Sequence, residues 1–160
     1  MIQTAQEAKV AEDTSAYSGE VFQVVSFHIG SEEFAVDILE VQEIIRMVEI
    51  TPVPKAPYYV EGVVNLRGKV IPIIDMRLRF GLSEAERTKE TRIVVVDVNR
   101  VILGLVVDSV SEVLRIPSNL IESPPNGKQG ASEFHKGVGR VDGRLLVLLD
   151  LTRLVGTAAG

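Results

Sequence analysis

The chain reads as an all-β protein of small closed barrels, arranged as two tandem related units. Three observations carry that expectation. Short β-branched runs such as Val21–Ile29 (VFQVVSFHI) and Val101–Val107 (VILGLVV) are separated by Gly, Pro and Asn rather than by long amphipathic periods. Only two brief helices find room, each opened by an aspartate, Asp75 and Asp150. The chain also repeats itself. With Gly62 set against Gly137, Val63 meets Val138, Gly68 meets Gly143, Asp75 meets Asp150 and Gly81 meets Gly156, an offset of 75 residues. A second block, Phe34–Arg46 against Leu103–Arg115, aligns at an offset of 69 and pairs Val41 with Val110 and Glu43 with Glu112. The gap between the two offsets falls in Ile116–Lys136, a Pro-, Gly- and Ser-rich segment where a surface insertion belongs.

In chain order, residues 1 to 19 are small, polar and acidic without a sustained apolar period, and are expected to form a flexible tail. Val21–Ile29 alternates Val25, Phe27 and Ile29 with Val24, Ser26 and His28. Gly30-Ser31 then turns it into a second strand, Glu33–Asp37. Val41–Arg46 forms the next strand, with Val41, Glu43 and Ile45 on one side. Pro52, Pro54 and Pro57 keep the following segment out of a central ladder. Val60–Val64 and Val70–Ile74 flank the turn Asn65-Leu66-Arg67-Gly68, and Asp75 caps a helix over Met76–Phe80 that stops at Gly81. Asp150 and Gly156 bracket its counterpart. Ser83–Arg92 is a charge-balanced, solvated connection, and Ile93–Val98 joins Val101–Val107 through Asn99-Arg100 as a hairpin.

Composition excludes several classes. A net charge of −5, 5% aromatic residues and no Trp count against a nucleic-acid surface, which needs clustered cations and stacking rings. Zero cysteines exclude disulfides and thiolate metal sites. The longest apolar run, Val101–Val107, is far shorter than the roughly 18 residues of a membrane span, and the N-terminus lacks a secretory pattern. The reading is a cytoplasmic protein. Gly62 with Gly68-Lys69 superficially resembles a phosphate loop, but five residues separate the glycines and Val70 stands where Ser or Thr would meet magnesium. Asp142 likewise occupies the third glycine's place in a dinucleotide pattern. His28 and His135 are the only histidines, and Asp75 and Asp150 are accounted for by capping. No catalytic residue, metal ligand or cofactor is expected.

Arg67 stands apart. Its counterpart is Asp142, so the turn's backbone does not require arginine. A charged tip on a tight turn suits a protein partner, although composition alone favours a solvated turn residue. Glu43 poses the same choice, lying on a strand face otherwise made of Val41 and Ile45.

The run TPVPKAPYYVEGVVNLRGKVIPIIDMRLRFG (Thr51–Gly81), with EEFAVDILEVQEI before it, RVILGLVVDSVSEVLRI after it and the closing GRLLVLLDLTRLV, closely resembles the CheW family of bacterial chemotaxis coupling proteins. The NLRG turn followed by IP and D-Met-R is the most specific part, Met76 replacing the usual Leu. The resemblance spans Val21–Val155 and implies two five-stranded SH3-like barrels around a shared core, within a domain of residues 20–156. Its repeat units are expected at about 20–82 and 92–156, with a C-terminal tail at 157–160. It further implies a non-catalytic adaptor that bridges the cytoplasmic tip of chemoreceptors to the regulatory domain of the histidine kinase CheA, recruited to membrane-associated arrays without inserting into the membrane. In the family, the positions matching Val41, Glu43, Gly62, Arg67 and Gly68 are associated with coupling. With neither ATP-site motifs nor a receiver domain, the chain looks like the stand-alone adaptor.

Overall fold

The computed structural model describes residues 20–123 and 134–159, with side chains described as far as Val155. The expected N-terminal tail and much of the Pro-Gly-Ser insertion lie outside the described residues.

Among the described residues, eleven strands and two α-helices follow in order: β1 (Val21–Ile29), β2 (Glu32–Asp37), β3 (Val41–Arg46), β4 (Val60–Leu66), β5 (Lys69–Asp75), α1 (Met76–Arg79), β6 (Arg92–Val98), β7 (Val101–Val107), β8 (Ser109–Pro117), β9 (Ile121–Glu122), β10 (His135–Val141), β11 (Arg144–Leu149) and α2 (Leu151–Ala159). They build two sheets, ordered β8-β1-β2-β11-β10-β9 and β3-β6-β7-β5-β4. Each is an SH3-like barrel, the first extended by the two-residue β9. The two orders match strand for strand once β1, β2, β3, β4 and β5 are equated with β6, β7, β8, β10 and β11, the same equivalence that the sequence repeat displays. Each sheet even carries its one parallel pair at the same place, β2–β11 and β7–β5.

The repeats do not stay apart in space. The β1–β2 hairpin of the first repeat completes the sheet made by β8–β11 of the second, and the β6–β7 hairpin of the second completes the sheet of β3–β5. Strands with this duty are apolar on both faces. Val24, Ala35, Leu114, Ile116, Leu146 and Leu148 fill one barrel, and Val64, Ile71, Ile73, Ile93 and Val95 fill the other. The alternate residues of the same strands, Val25, Phe27, Phe34, Val94, Val96, Leu105, Val147 and Leu149, form a third core between the barrels. Burial on both sides is why β1 and β6 read as near-continuous hydrophobic runs rather than clean alternations.

Aliphatic residues from both repeats line this junction, and aromatic ones join them. Phe34 lies 5.1 Å from Phe80 and 6.4 Å from Phe27 between ring centroids, and Phe80 lies 6.2 Å from Phe134. The Arg79 guanidinium sits over both Tyr59 (4.3 Å) and Phe134 (4.4 Å). Those two rings are repeat equivalents. The carbonyl of each accepts the N–H of the matching cap, Asp75 to Tyr59 at 2.8 Å and Asp150 to Phe134 at 2.6 Å. A polar clasp supplements the core where the chain crosses from β7 to β8. Asp108 accepts two hydrogen bonds from Arg77 (3.0 and 3.1 Å) and one from the Gly30 amide (2.9 Å). Asp108→Ala leaves that cation and amide without their acceptor, and is expected to cost about 1–3 kcal/mol in urea unfolding. A change under a few tenths would show the clasp to be dispensable.

Local chemistry agrees with the sequence except at two places. The turn is tighter than Asn65–Gly68, since β4 runs to Leu66 and β5 starts at Lys69, leaving only Arg67 and Gly68 between them. Both have positive φ, 51° and 83°, as do Asp142 (51°) and Gly143 (77°) in the second repeat; this is the backbone a right-twisted hairpin favours. Asp75 and Asp150 cap α1 and α2 by accepting from Leu78 and Arg153 amides, as expected. The second helix, however, passes through Gly156 to Ala159 instead of stopping at Gly156. A glycine ends a helix only where the chain leaves through the left-handed region, as at Gly81 with φ 78°.

His135 opens β10 beside Phe34, ring centroids 6.3 Å apart, with both ring nitrogens buried and unbonded among the described residues. Burial pushes its pKa below the usual 6.5, outweighing the opposite pull of Glu32. Because the folded pKa lies below the unfolded one, this contribution to stability is full above about pH 6.5 and is lost as pH falls from there toward the folded value. Chemical denaturation at pH 7.5 and at about pH 5.5 should show the wild type losing more stability than His135→Leu. Equal losses would contradict the assignment.

Candidate coupling surface

The five residues singled out by sequence gather on one barrel, along β3 and the β4–β5 hairpin. These elements lie at the two ends of the five-stranded sheet, since β3 and β4 are its edge strands. Val41 starts β3 and is half-buried against the inter-barrel core, paired with Val96. A bulge between Val41 and Glu43 follows. It leaves Glu43 and Ile45 half-buried while Gln42, Ile44 and Arg46 are exposed. From the opposite edge, the turn residue Arg67 forms an ion pair with Glu43. The pair thus spans the seam between the first and last strands of the barrel. The Arg67 side chain is 69% exposed and that of Glu43 only 25%. An exposed pair of this kind contributes about 0.2–1 kcal/mol to folding.

The glycines shape that seam. Gly68 completes the two-residue turn, its amide donating to Asn65 Oδ1 at 3.0 Å. Gly62 lies where Thr51 and Val63 exchange a pair of backbone hydrogen bonds of 2.9 and 2.8 Å. A Cβ at Gly62 would fall 2.1 Å from the Thr51 carbonyl oxygen. No rotamer relieves a clash with backbone, so Gly62→Ala must displace the strand or the Thr51 segment. It is expected to cost about 2–4 kcal/mol in thermal or urea unfolding. A cost below 0.5 would show the bridge to be unimportant. The neighbouring Glu61 is held by Arg87, one contact being 2.6 Å, and Arg87 also approaches Asp75 at 3.6 Å. These carboxylates, the Glu61 hydrogen bond first, hold the Arg87 guanidinium above its ordinary pKa.

Sequence reading did not anticipate the ion pair, nor its counterpart in the other barrel. There Glu112, the repeat equivalent of Glu43, pairs with Arg144 at 2.9 Å. Arg144 follows the second turn glycine, while the position matching Arg67 is Asp142. Each barrel therefore closes with a Glu–Arg bridge, but only the first places the arginine on the turn tip. The signal was present in the alignment of Glu43 with Glu112, which read alone does not say which cation each would find. Arg144 also lies 3.7 Å from the buried Glu33, which has His28 at 3.9 Å.

Among the described residues no group of three or more His, Asp or Glu could hold a metal ion, and no helix is long and apolar enough to cross a membrane.

Comparison with known proteins agrees with this geometry. The family model for the CheW-like domain matches residues 23–159. The chain is 38% identical over 136 residues to the chemotaxis protein CheW of Helicobacter pylori, covering 85% of this chain and 82% of that protein. It is 37% identical over 134 residues to CheW of Thermotoga maritima, covering 84% and 87%. The crystal structure of the scaffolding protein TtCheW from Thermoanaerobacter tengcongensis superposes with a TM-score of 0.77 at 35% identity, covering 81% of this chain and 89% of that one. With its paired barrels and the seam that unites the NLRG turn with β3, the chain belongs to the CheW-like family of chemotaxis adaptor proteins.

Proposed function

We propose that the protein couples the cytoplasmic tip of chemoreceptors to the regulatory domain of the kinase CheA, acting as a non-catalytic scaffold with Val41, Glu43, Gly62, Arg67 and Gly68 at its partner-binding surface. The observation that carries this reading is the Glu43–Arg67 ion pair. It holds an exposed cation on a rigid turn at the open seam of one barrel, whereas the equivalent turn of the other barrel presents Asp142. A pre-set guanidinium flanked by half-exposed apolar side chains matches the make-up of interface anchors. Catalysis has no part in this role. The protein acts in the cytoplasm and reaches the membrane only through the receptors it joins.

A pull-down with an immobilised chemoreceptor cytoplasmic fragment and with the CheA regulatory domain tests the reading, and both should retain the protein. Retention by neither would overturn it. Stoichiometric metal in the untagged protein, or a large thermal shift with ATP, would count against a purely scaffolding role.

A further inference from the structure

The distal end of the β3–β6 ladder carries three cations that form no ion pair among the described residues. Arg46, the last residue of β3, lies directly opposite Arg92, the first of β6. Like charges in register across an antiparallel pair oppose folding. Lys89 joins them in lining a groove of about 460 Å³ that also includes Met47, Thr88, Glu90 and Thr91. Among the described residues, none of the three cations has a carboxylate within ion-pair distance, in a chain whose net charge is −5.

The groove is also pre-organised. The Arg92 guanidinium donates through one nitrogen to the carbonyls of Lys89 (2.7 Å) and Thr91 (2.9 Å), leaving its other N–H groups for a ligand. The Thr88 amide donates to Thr91 Oγ1 and the Glu90 amide to Thr88 Oγ1, fixing the loop. Beside the cations, β3 is an edge strand paired only with β6, so one row of its backbone groups has no strand partner. Ile44 and Val48 next to Arg46 are 40% and 48% exposed.

We infer that this groove docks an extended, acidic segment of a partner protein, its backbone alongside the β3 edge, its carboxylates on Arg46, Lys89 and Arg92, and its apolar side chains against Ile44 and Val48. The fixed Arg92 guanidinium, with Arg46 opposite it, suits bidentate carboxylate recognition, and the edge strand suits strand addition. The exposed apolar residues favour a peptide over a bare phosphate backbone. The site shares the β3 edge with the Glu43–Arg67 seam but rests on other side chains, at the Arg46 end of the strand.

The test is an amide NMR titration of the full chain with a decapeptide of alternating Glu and Val, run beside a twelve-nucleotide oligothymidylate. The peptide should shift the amides of Gln42–Val48 and Thr88–Ile93. Binding should weaken about tenfold or more in Arg46→Glu/Lys89→Glu, with thermal stability no lower than that of the wild type because the Arg46–Arg92 repulsion is removed, and should weaken with added salt. Arg46→Gln/Lys89→Gln serves if the charge reversal disturbs folding. Arg115→Glu, at the position matching Arg46 on the other barrel, should bind the peptide normally. The inference fails if those amides do not shift, if the charge-reversed or neutralised protein binds equally well, if Arg115→Glu loses the peptide, or if the oligonucleotide binds there more tightly than the peptide.

Discussion

Arg67→Ala should reduce coupling to receptor or kinase by about 2 kcal/mol or more, roughly thirty-fold, while leaving the fold nearly untouched. The two halves of that expectation rest on different facts. The side chain is 69% exposed, so the ion pair adds at most about 1 kcal/mol to folding. The turn is set by backbone with positive φ at positions 67 and 68, and alanine meets the same conformational cost there as arginine. What the substitution removes is the cation itself, held ready by Glu43. Glu43→Ala should release the guanidinium without deleting it, so its effect on coupling should be smaller or confined to one partner. The reversed pair, Glu43→Arg with Arg67→Glu, separates the explanations. If closing the seam is all that matters, the reversal restores coupling; if Arg67 meets the partner, coupling stays low, and that is the expected result. Unchanged kinase activation in a reconstituted array carrying both alanine substitutions would place the binding surface elsewhere.

Phe34→Ala should have the largest effect on stability, about 3–5 kcal/mol. Phe34 is 1% exposed and belongs to β2, in the barrel built mainly by the second repeat. Its ring packs on Phe80, which follows α1 of the first repeat, and on Phe27 and His135. The cavity left behind would open between the barrels rather than inside one. Since each barrel borrows a hairpin from the other repeat, neither half can persist when the junction fails. Calorimetry should show a single transition at lower temperature for the variant, as for the wild type. Two separated transitions in either protein would refute the shared core.

The structure sorts the molecule's features by the range of the forces behind them. The turns at Arg67-Gly68 and Asp142-Gly143, the caps at Asp75 and Asp150 and the strand runs depend on a few neighbouring residues, through allowed φ and ψ, orphaned amides and the two-residue alternation of a strand. The sequence alone determined these, along with the duplication. It could not decide which hairpin joins which sheet. β1–β2 and β6–β7 are apolar on both faces, and local pattern fits either hairpin equally well to a barrel of its own repeat. The exchange is decided by burial summed over long-range contacts, including the ring cluster of Phe27, Phe34, Phe80 and Phe134 that no periodicity announces. The helix passing through Gly156 is of the same kind, its course set by Leu151, Leu154 and Val155 packing into the common core rather than by its glycine. So are the Glu43–Arg67 bridge, the Asp108 clasp and the Arg46–Arg92 groove, for an ion pair or a like-charge pair exists only once the chain has brought its members together. Local stereochemistry is written residue by residue, whereas charge geometry at a surface belongs to the folded whole.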